Sequence, residues 1–307
     1  MATSRPAARR FDRAFWRRTI RGYLFISPVV LGLIIWTFGP MVASLYFSLT
    51  DYKIVSPPVF TGLDNFSDLF THDRLFIQSL WVTVRYTVLF VVLVQLVSLP
   101  LAMLLTQKVR GISVFRTLFY LPVVVPVVAT ALLWRYLMNK DYGPIDAALK
   151  FFGLPAVNWL GSPDMALVSL VIISVWGAAL FTIIYVAALQ HIPEQLHEAA
   201  RIDGANAWQQ FRFVTIPLLT PAIFFCLVTS VILSFQFFIP AFVMTGGGPA
   251  NSTYVYNLNL YDKAFKWLEM GYASAMAWVL FIIIFIVTLV IFRTQRLWVH
   301  NDGGVRG

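Results

Sequence analysis

From Phe76 to Thr106 the chain runs for 31 residues with one charge, Arg85. A stretch of ~20 apolar residues is enough to cross a hydrocarbon core of ~30 Å. Inside that core water cannot satisfy backbone N–H and C=O groups, so the segment must bond to itself as a helix. Five more apolar runs of comparable length occur, at about 23–49, 114–138, 165–190, 214–244 and 270–292. The composition agrees: 12% of residues are charged and 59% hydrophobic, whereas soluble domains carry about 25% charged residues. The expected fold class is an all-α integral membrane protein with six transmembrane helices, its membrane domain spanning residues 23–292.

The net charge of +9 does not point to nucleic acid, because the basic residues gather at the ends of apolar runs. The tail 1–22 holds Arg5, Arg9, Arg10, Arg13, Arg17, Arg18 and Arg21 against one acid, Asp12. The apolar run behind it is too long for the core of a cleaved signal peptide and reads as a retained signal anchor. With six spans, the side holding the N-terminus carries fifteen Lys and Arg residues and the opposite side six. Positive residues accumulate on the cytoplasmic side. Both termini, the loop 191–213 and the tail 293–307 are therefore expected in the cytoplasm. Pro28, Pro40, Pro100, Pro122, Pro126 and Pro240 fall inside apolar runs, where proline frees carbonyls that neighbours must satisfy. The single cysteine, Cys226, excludes an internal disulfide and reads as a packed small residue.

The one long polar run with an internal design is 194–221, EQLHEAARIDGANAWQQFRFVTIPLLTP with its flanks. Pro193 precedes a helix-permissive stretch, Asp203-Gly204 signals a turn, and a second polar segment leads to Pro217 and Pro221. A short helix–turn–helix across the mouth of a bundle is expected. Here Glu198, Ala199, Ala200, Asp203, Gly204, Ala205, Phe211, Pro217, Leu218 and Pro221 match in register a known pattern. The segment resembles the EAA loop of permease subunits of ATP-binding-cassette importers. The resemblance implies a coupling helix that docks in a groove of an ATPase subunit. Small side chains at Ala199 and Ala200 suit close approach, and Gly204 suits the turn.

The likeness extends from about Tyr23 to Phe292. Ser48 to Tyr52 with Gly62 to Phe66, and Thr245-Gly246-Gly247-Gly248-Pro249, are similar to two signatures of the carbohydrate-uptake branch. It implies the fold of a type I importer permease in a bacterial or archaeal inner membrane. Its implied partners are a second homologous permease, two ATPase subunits, an extracytoplasmic solute-binding protein and membrane lipid, with no nucleic acid. The implied cargo is a sugar or oligosaccharide, or a glycerol phosphodiester or phosphate. ATP and magnesium would be bound by the ATPases. This chain has no GK[ST] phosphate loop, and no cofactor is expected in it.

Little else points to chemistry. His191 and His197 are six apart, unlike a metal pair one turn apart on one helix face, and His72 and His300 stand alone. The spans lack mid-membrane carboxylates of the kind ion-coupled carriers use. Arg85 and Arg135 lie within about three turns of span ends and can snorkel; the alternative is that one of them meets an anionic substrate. Two rival classes remain: a secondary carrier, which the missing acids oppose, and a membrane scaffold, which leaves the signature loops unexplained. Sugars need aromatic faces and a few polar groups, and Ser234-Phe235-Gln236-Phe237-Phe238 offers them in the fifth run, near its middle. Ser234 and Phe237 stand where a maltose-transporting member of the family carries asparagines. Trp176, Gly177 and Leu180 fall at other contacting positions of that member, with the glycine retained. Gln236 is the sharpest expectation, since an amide in hydrocarbon needs a partner.

Overall fold

The computed structural model describes residues 13–177 and 179–299. Arg5, Arg9, Arg10, Asp12, His300 and Arg306 lie outside them. Helices α1 (Arg13–Leu33) and α2 (Gly39–Ser48) join through a widened turn, Ile34–Phe38. Strands β1 (Thr50–Asp51) and β2 (Val59–Phe60) pair antiparallel, Thr50 opposite Phe60. Helix α3 (Asp64–Thr71) leads to α4 (Arg74–Leu105), followed by α5 (Ile112–Val124), α6 (Val127–Leu137) and α7 (Pro144–Phe151). Next come α8 (Pro163–Trp176), α9 (Ala179–Gln190), α10 (Glu194–Ile202) and α11 (Ala207–Gln210). The chain closes with α12 (Ile216–Phe235), α13 (Tyr256–Tyr261) and α14 (Met270–Trp298).

Four helical stretches among the described residues are long and apolar enough to cross a membrane: Thr19–Ser48, Arg74–Leu105, Ala207–Phe235 and Met270–Trp298. The runs at 114–138 and 165–190 are each broken into two helices. The first is α5 and α6 bent by 103°, the second α8 and α9 bent by 43°. The sharper bend has a local cause. Pro126 lacks an amide to donate, and the residue before a proline is pushed out of the helical region; Val125 is extended, with ψ 129°. The fifth run also ends early. Pro240 would clash with the Gln236 carbonyl if the helix continued, so α12 stops at Phe235 with Gln236 as its cap. A separate widened turn, Ala241–Thr245, follows. The cluster at Ser234–Phe238 therefore sits at a helix end and not at mid-helix.

Helix α4 is the hub. Its buried positions, among them Phe76, Ser79, Thr83, Tyr86, Phe90, Val94, Ser98, Ala102 and Leu105, recur every three or four residues and pack against α8, α9, α12 and α13. Small and hydroxyl residues on this stripe let helices approach closely, as membrane interfaces favour. They also bond across it. The Tyr256 amide donates to Thr83 Oγ1 at 2.8 Å, and Asn259 Nδ2 donates to Ser79 Oγ at 3.3 Å. Tyr185 donates to Gln95 Oε1 at 2.5 Å, tying α9 to α4. Cys226 is fully buried in the same core.

At the end remote from α10, a cap closes the bundle. Asn65 Nδ2 donates to the carbonyls of Ser48 and Thr50 at 3.0 and 2.9 Å, pinning α3 over the β1 turn. Gly271 is required there, because any Cβ would run into the Thr50 carbonyl.

Candidate functional site

The hairpin at 194–210 is built by its own backbone. Helix α10 ends with Asp203 as cap and Gly204 left-handed at φ +81°. The Ala205 amide donates to the Ala200 carbonyl at 2.8 Å and the Gly204 amide to the Arg201 carbonyl at 3.0 Å. This pair of bonds is the Schellman ending, which satisfies carbonyls that a helix otherwise leaves open. The next helix starts two residues on. Asn206 Oδ1 accepts from the Gln209 amide at 2.9 Å, and Gln209 Oε1 accepts from the Asn206 amide at 2.8 Å, a reciprocal cap. From Ala207 the helix passes through a widened turn, Phe211–Thr215, into α12, so 207–235 is continuous.

The motif residues lie together on this hairpin. Glu198, Ala199, Asp203 and Gly204 are exposed, while Ala200, Ala205 and Phe211 are half-buried. Three apolar neighbours that the motif does not single out are also exposed: Ile202 at 86%, Trp208 at 68% and Phe213 at 73%. The hairpin thus leaves large apolar side chains uncovered. A cleft of about 250 Å³ lies between the turn and the foot of α12, lined by Asp203, Gly204, Ala205, Gln209 and Phe213.

The second site is a cavity of about 590 Å³ at the break between α5 and α6. It gathers four of the predicted residues, Gly177, Leu180, Gln236 and Phe237, and omits three. Ser234 is buried and donates to the Val231 carbonyl at 2.8 Å. Phe235 is buried in the core. Trp176 faces a separate cavity between α5 and α8, with its ring edge-on to Trp134 at 5.6 Å. The missed wall residues are Tyr86, Thr130 and Ser174. Tyr86 donates to Ser174 Oγ at 2.8 Å and stacks on Phe237 with ring centres 3.9 Å apart. A tyrosine about one-third of the way along an apolar run gives no sequence signal of this kind. Its partners are 88 and about 150 positions away.

Gln236 is exposed toward this space, so the amide expected to need a partner faces an opening and not lipid-packed helix. Among the described residues no charged side chain lines the cavity. Arg85 rests over the Trp81 ring at 5.5 Å, and Arg135 donates to the Val243 carbonyl at 3.1 Å. Aromatic faces with a few hydroxyl and amide groups suit a neutral polyol better than an anion.

A bundle with two broken crossings, a cavity at one break and a capped polar hairpin defines a class: a multi-pass helical permease. The fold is shared with a chain of a bacterial alginate ABC transporter, solved in complex with an alginate pentasaccharide-bound periplasmic protein. The TM-score is 0.81, at 21% identity over 91% of this chain and 95% of that one. Residues 96–300 match the family described as binding-protein-dependent transport system inner membrane component, and the chain belongs to it. A probable ABC transporter permease protein of Bacillus subtilis (strain 168), YesP, is 41% identical over 95% of both chains. A probable starch degradation products transport system permease protein of Thermoanaerobacterium thermosulfurigenes, AmyD, is 35% identical over 92% of this chain and 96% of that one.

Proposed function

We propose that the chain is the translocating subunit of an ATP-driven importer for a neutral sugar or oligosaccharide. In this reading the cargo arrives on an extracytoplasmic binding protein. A second, similar permease completes the pathway, and two ATPase subunits bind ATP and magnesium on the cytoplasmic side. The observation that carries the reading is the continuity of 207–235. At 1.5 Å per residue this helix is about 43 Å long. One end abuts the hairpin turn and the other ends at Gln236 in the cavity wall. A push on the hairpin by a closing ATPase pair is thus delivered to the cavity as a tilt of one rigid element.

Excess Lys and Arg on the side of the hairpin supports a cytoplasmic position for it and for both termini. The exposed Ile202, Trp208 and Phe213 give a docking partner apolar surface, and Ala199 lets it come close. A glycerol phosphodiester is a weaker fit, because among the described residues no cation faces the cavity to meet its charge. The test is to purify the chain with its natural partners and measure ATP hydrolysis. Neutral oligosaccharides, uronates and glycerol phosphates are added in turn with the binding-protein fraction. Hydrolysis should rise with one neutral sugar plus binding protein. Copurification of no ATPase, or stimulation by an anion alone, overturns it.

A further inference from the structure

We infer that the pocket between the foot of α12 and the end of α14 binds the phosphate of an anionic phospholipid. Two arginines line it from elements far apart in sequence: Arg212, from the widened turn 211–215 with its guanidinium 6.0 Å from the Phe213 ring centre, and Arg296, from the last turn of α14. The pocket is about 530 Å³, and its other walls are Ile216, Pro217, Thr220, Leu297, Trp298 and Val299. No acid is among them. Among the described residues neither arginine has a carboxylate within 4.0 Å. Two uncompensated cations sharing one opening repel each other, and an anion between them removes that repulsion.

The form of the site fits a lipid better than a soluble phosphate. Guanidinium groups present planar forks that match phosphate oxygens. The lower wall is apolar: Trp298 rests against Phe224, ring centres 6.1 Å apart, and Phe224 is edge-on to Phe292 at 5.0 Å. Tryptophan favours the boundary between acyl chains and water. The pocket therefore pairs a cationic rim with an apolar floor at the level where headgroups lie. Basic pockets between membrane helices recognise anionic headgroups in this way. The site adjoins Phe211 and so lies beside the hairpin, but it does not depend on the transport reading.

The test uses the full chain, with whatever partners copurify, in nanodiscs containing equal amounts of phosphatidylglycerol and phosphatidylcholine. Lipids retained on release are counted by native mass spectrometry. Wild-type protein should retain phosphatidylglycerol preferentially. R212Q/R296Q should lose that preference by on the order of thirtyfold, and R296Q alone by about fivefold, from the strength of basic residues near anionic lipid. R293Q, exposed at the same end but outside the pocket, should retain it, which separates loss of the site from general loss of surface charge. Equal retention of both lipids by wild type, or an undiminished preference in the double variant, overturns the assignment. So does displacement of phosphatidylglycerol by an equal concentration of inorganic phosphate, which would mark a site for soluble phosphate.

Discussion

The two ends of the bundle are held together in opposite ways. At the capped end, Lys263 lies 3.2 Å from Glu269 and 3.7 Å from Asp73 and over the rings of Trp267 and Tyr272. Tyr272 donates to the same Asp73 at 2.8 Å, and Tyr254 donates to Asp262 at 2.9 Å. Burial, then the hydrogen bond to Asp262, pushes the Tyr254 phenol above its ordinary range, so it remains a donor. At the hairpin end, α10 buries no residue. The one ion pair tying it to the α4–α5 loop, Lys108 with Glu194 at 3.2 Å, is exposed on both sides, where such pairs contribute at most about 1 kcal/mol. One end satisfies itself; the other keeps its shape through caps local to the hairpin and leaves Ile202, Trp208 and Phe213 exposed. Rigidity without self-packing is what a surface needs if a partner is to supply the packing.

The sharpest way to break this contrast is at the turn. Gly204→Pro imposes φ near −65° where the backbone needs +81°, and Ala199→Trp fills the exposed approach. Both variants should reach the membrane in normal amount while uptake falls to background. Normal uptake by both would mean that the hairpin is not a docking element. At the other end, Gly271→Val should cost about 3 kcal/mol of stability, at the upper end for overpacking, seen as a lower melting temperature in detergent. Gly32→Val, with nothing within 4 Å of its Cβ, should stay within about 0.5 kcal/mol.

Lys263→Met separates the ends further. It strands Asp73 and Glu269 in a half-buried setting, so a loss of about 2 kcal/mol is expected, below the roughly 3–5 kcal/mol of a fully buried pair. Lys108→Met at the hairpin end should leave melting unchanged. Between the ends, Gln236→Ala removes one amide from the cavity wall and should lower the apparent affinity for the transported sugar about tenfold, the equivalent of one hydrogen bond. The smallest effect belongs to Ser234→Ala. Its hydroxyl bonds only within its own helix, so uptake should change less than about threefold. A large loss there would move the pathway toward the core side of α12.

Much of this contrast was legible in the sequence. The apolar runs marked the bundle, and Asp203-Gly204 marked the turn because one residue type tolerates its φ. The reciprocal cap was also written there, as Asn206 and Gln209 three apart, but the matched motif drew attention past it. The breaks were less legible. Pro100 and Pro126 look alike in an apolar run, yet α4 continues through Pro100 and the chain turns by 103° at Pro126. Both prolines are exposed; what differs is that α4 is held along its buried stripe by α8, α9, α12 and α13. The cavity was the least legible part, because Tyr86, Ser174 and Phe237 meet only after three distant segments fold together. Trp176 was drawn from the register of a relative's contacts, and Ser234 and Phe235 from that register and local composition; neither says which way a helix face turns in this chain.

The break at Val125 also bears on how the chain enters the bilayer. At 13 and 11 residues, α5 and α6 are each about 20 Å or less in length, short of the ~30 Å needed to cross alone. The carbonyls freed between them have no partner in lipid, at several kcal/mol apiece. Helices α4, α12 and α14 can partition one at a time during synthesis. The bent segment can settle only against neighbours already in place, and one of those, the turn Ala241–Thr245 packed on α6, has not been made when it emerges. Biogenesis of this protein is therefore expected to contain a wait: a half-inserted intermediate sheltered until about a hundred further residues have been translated.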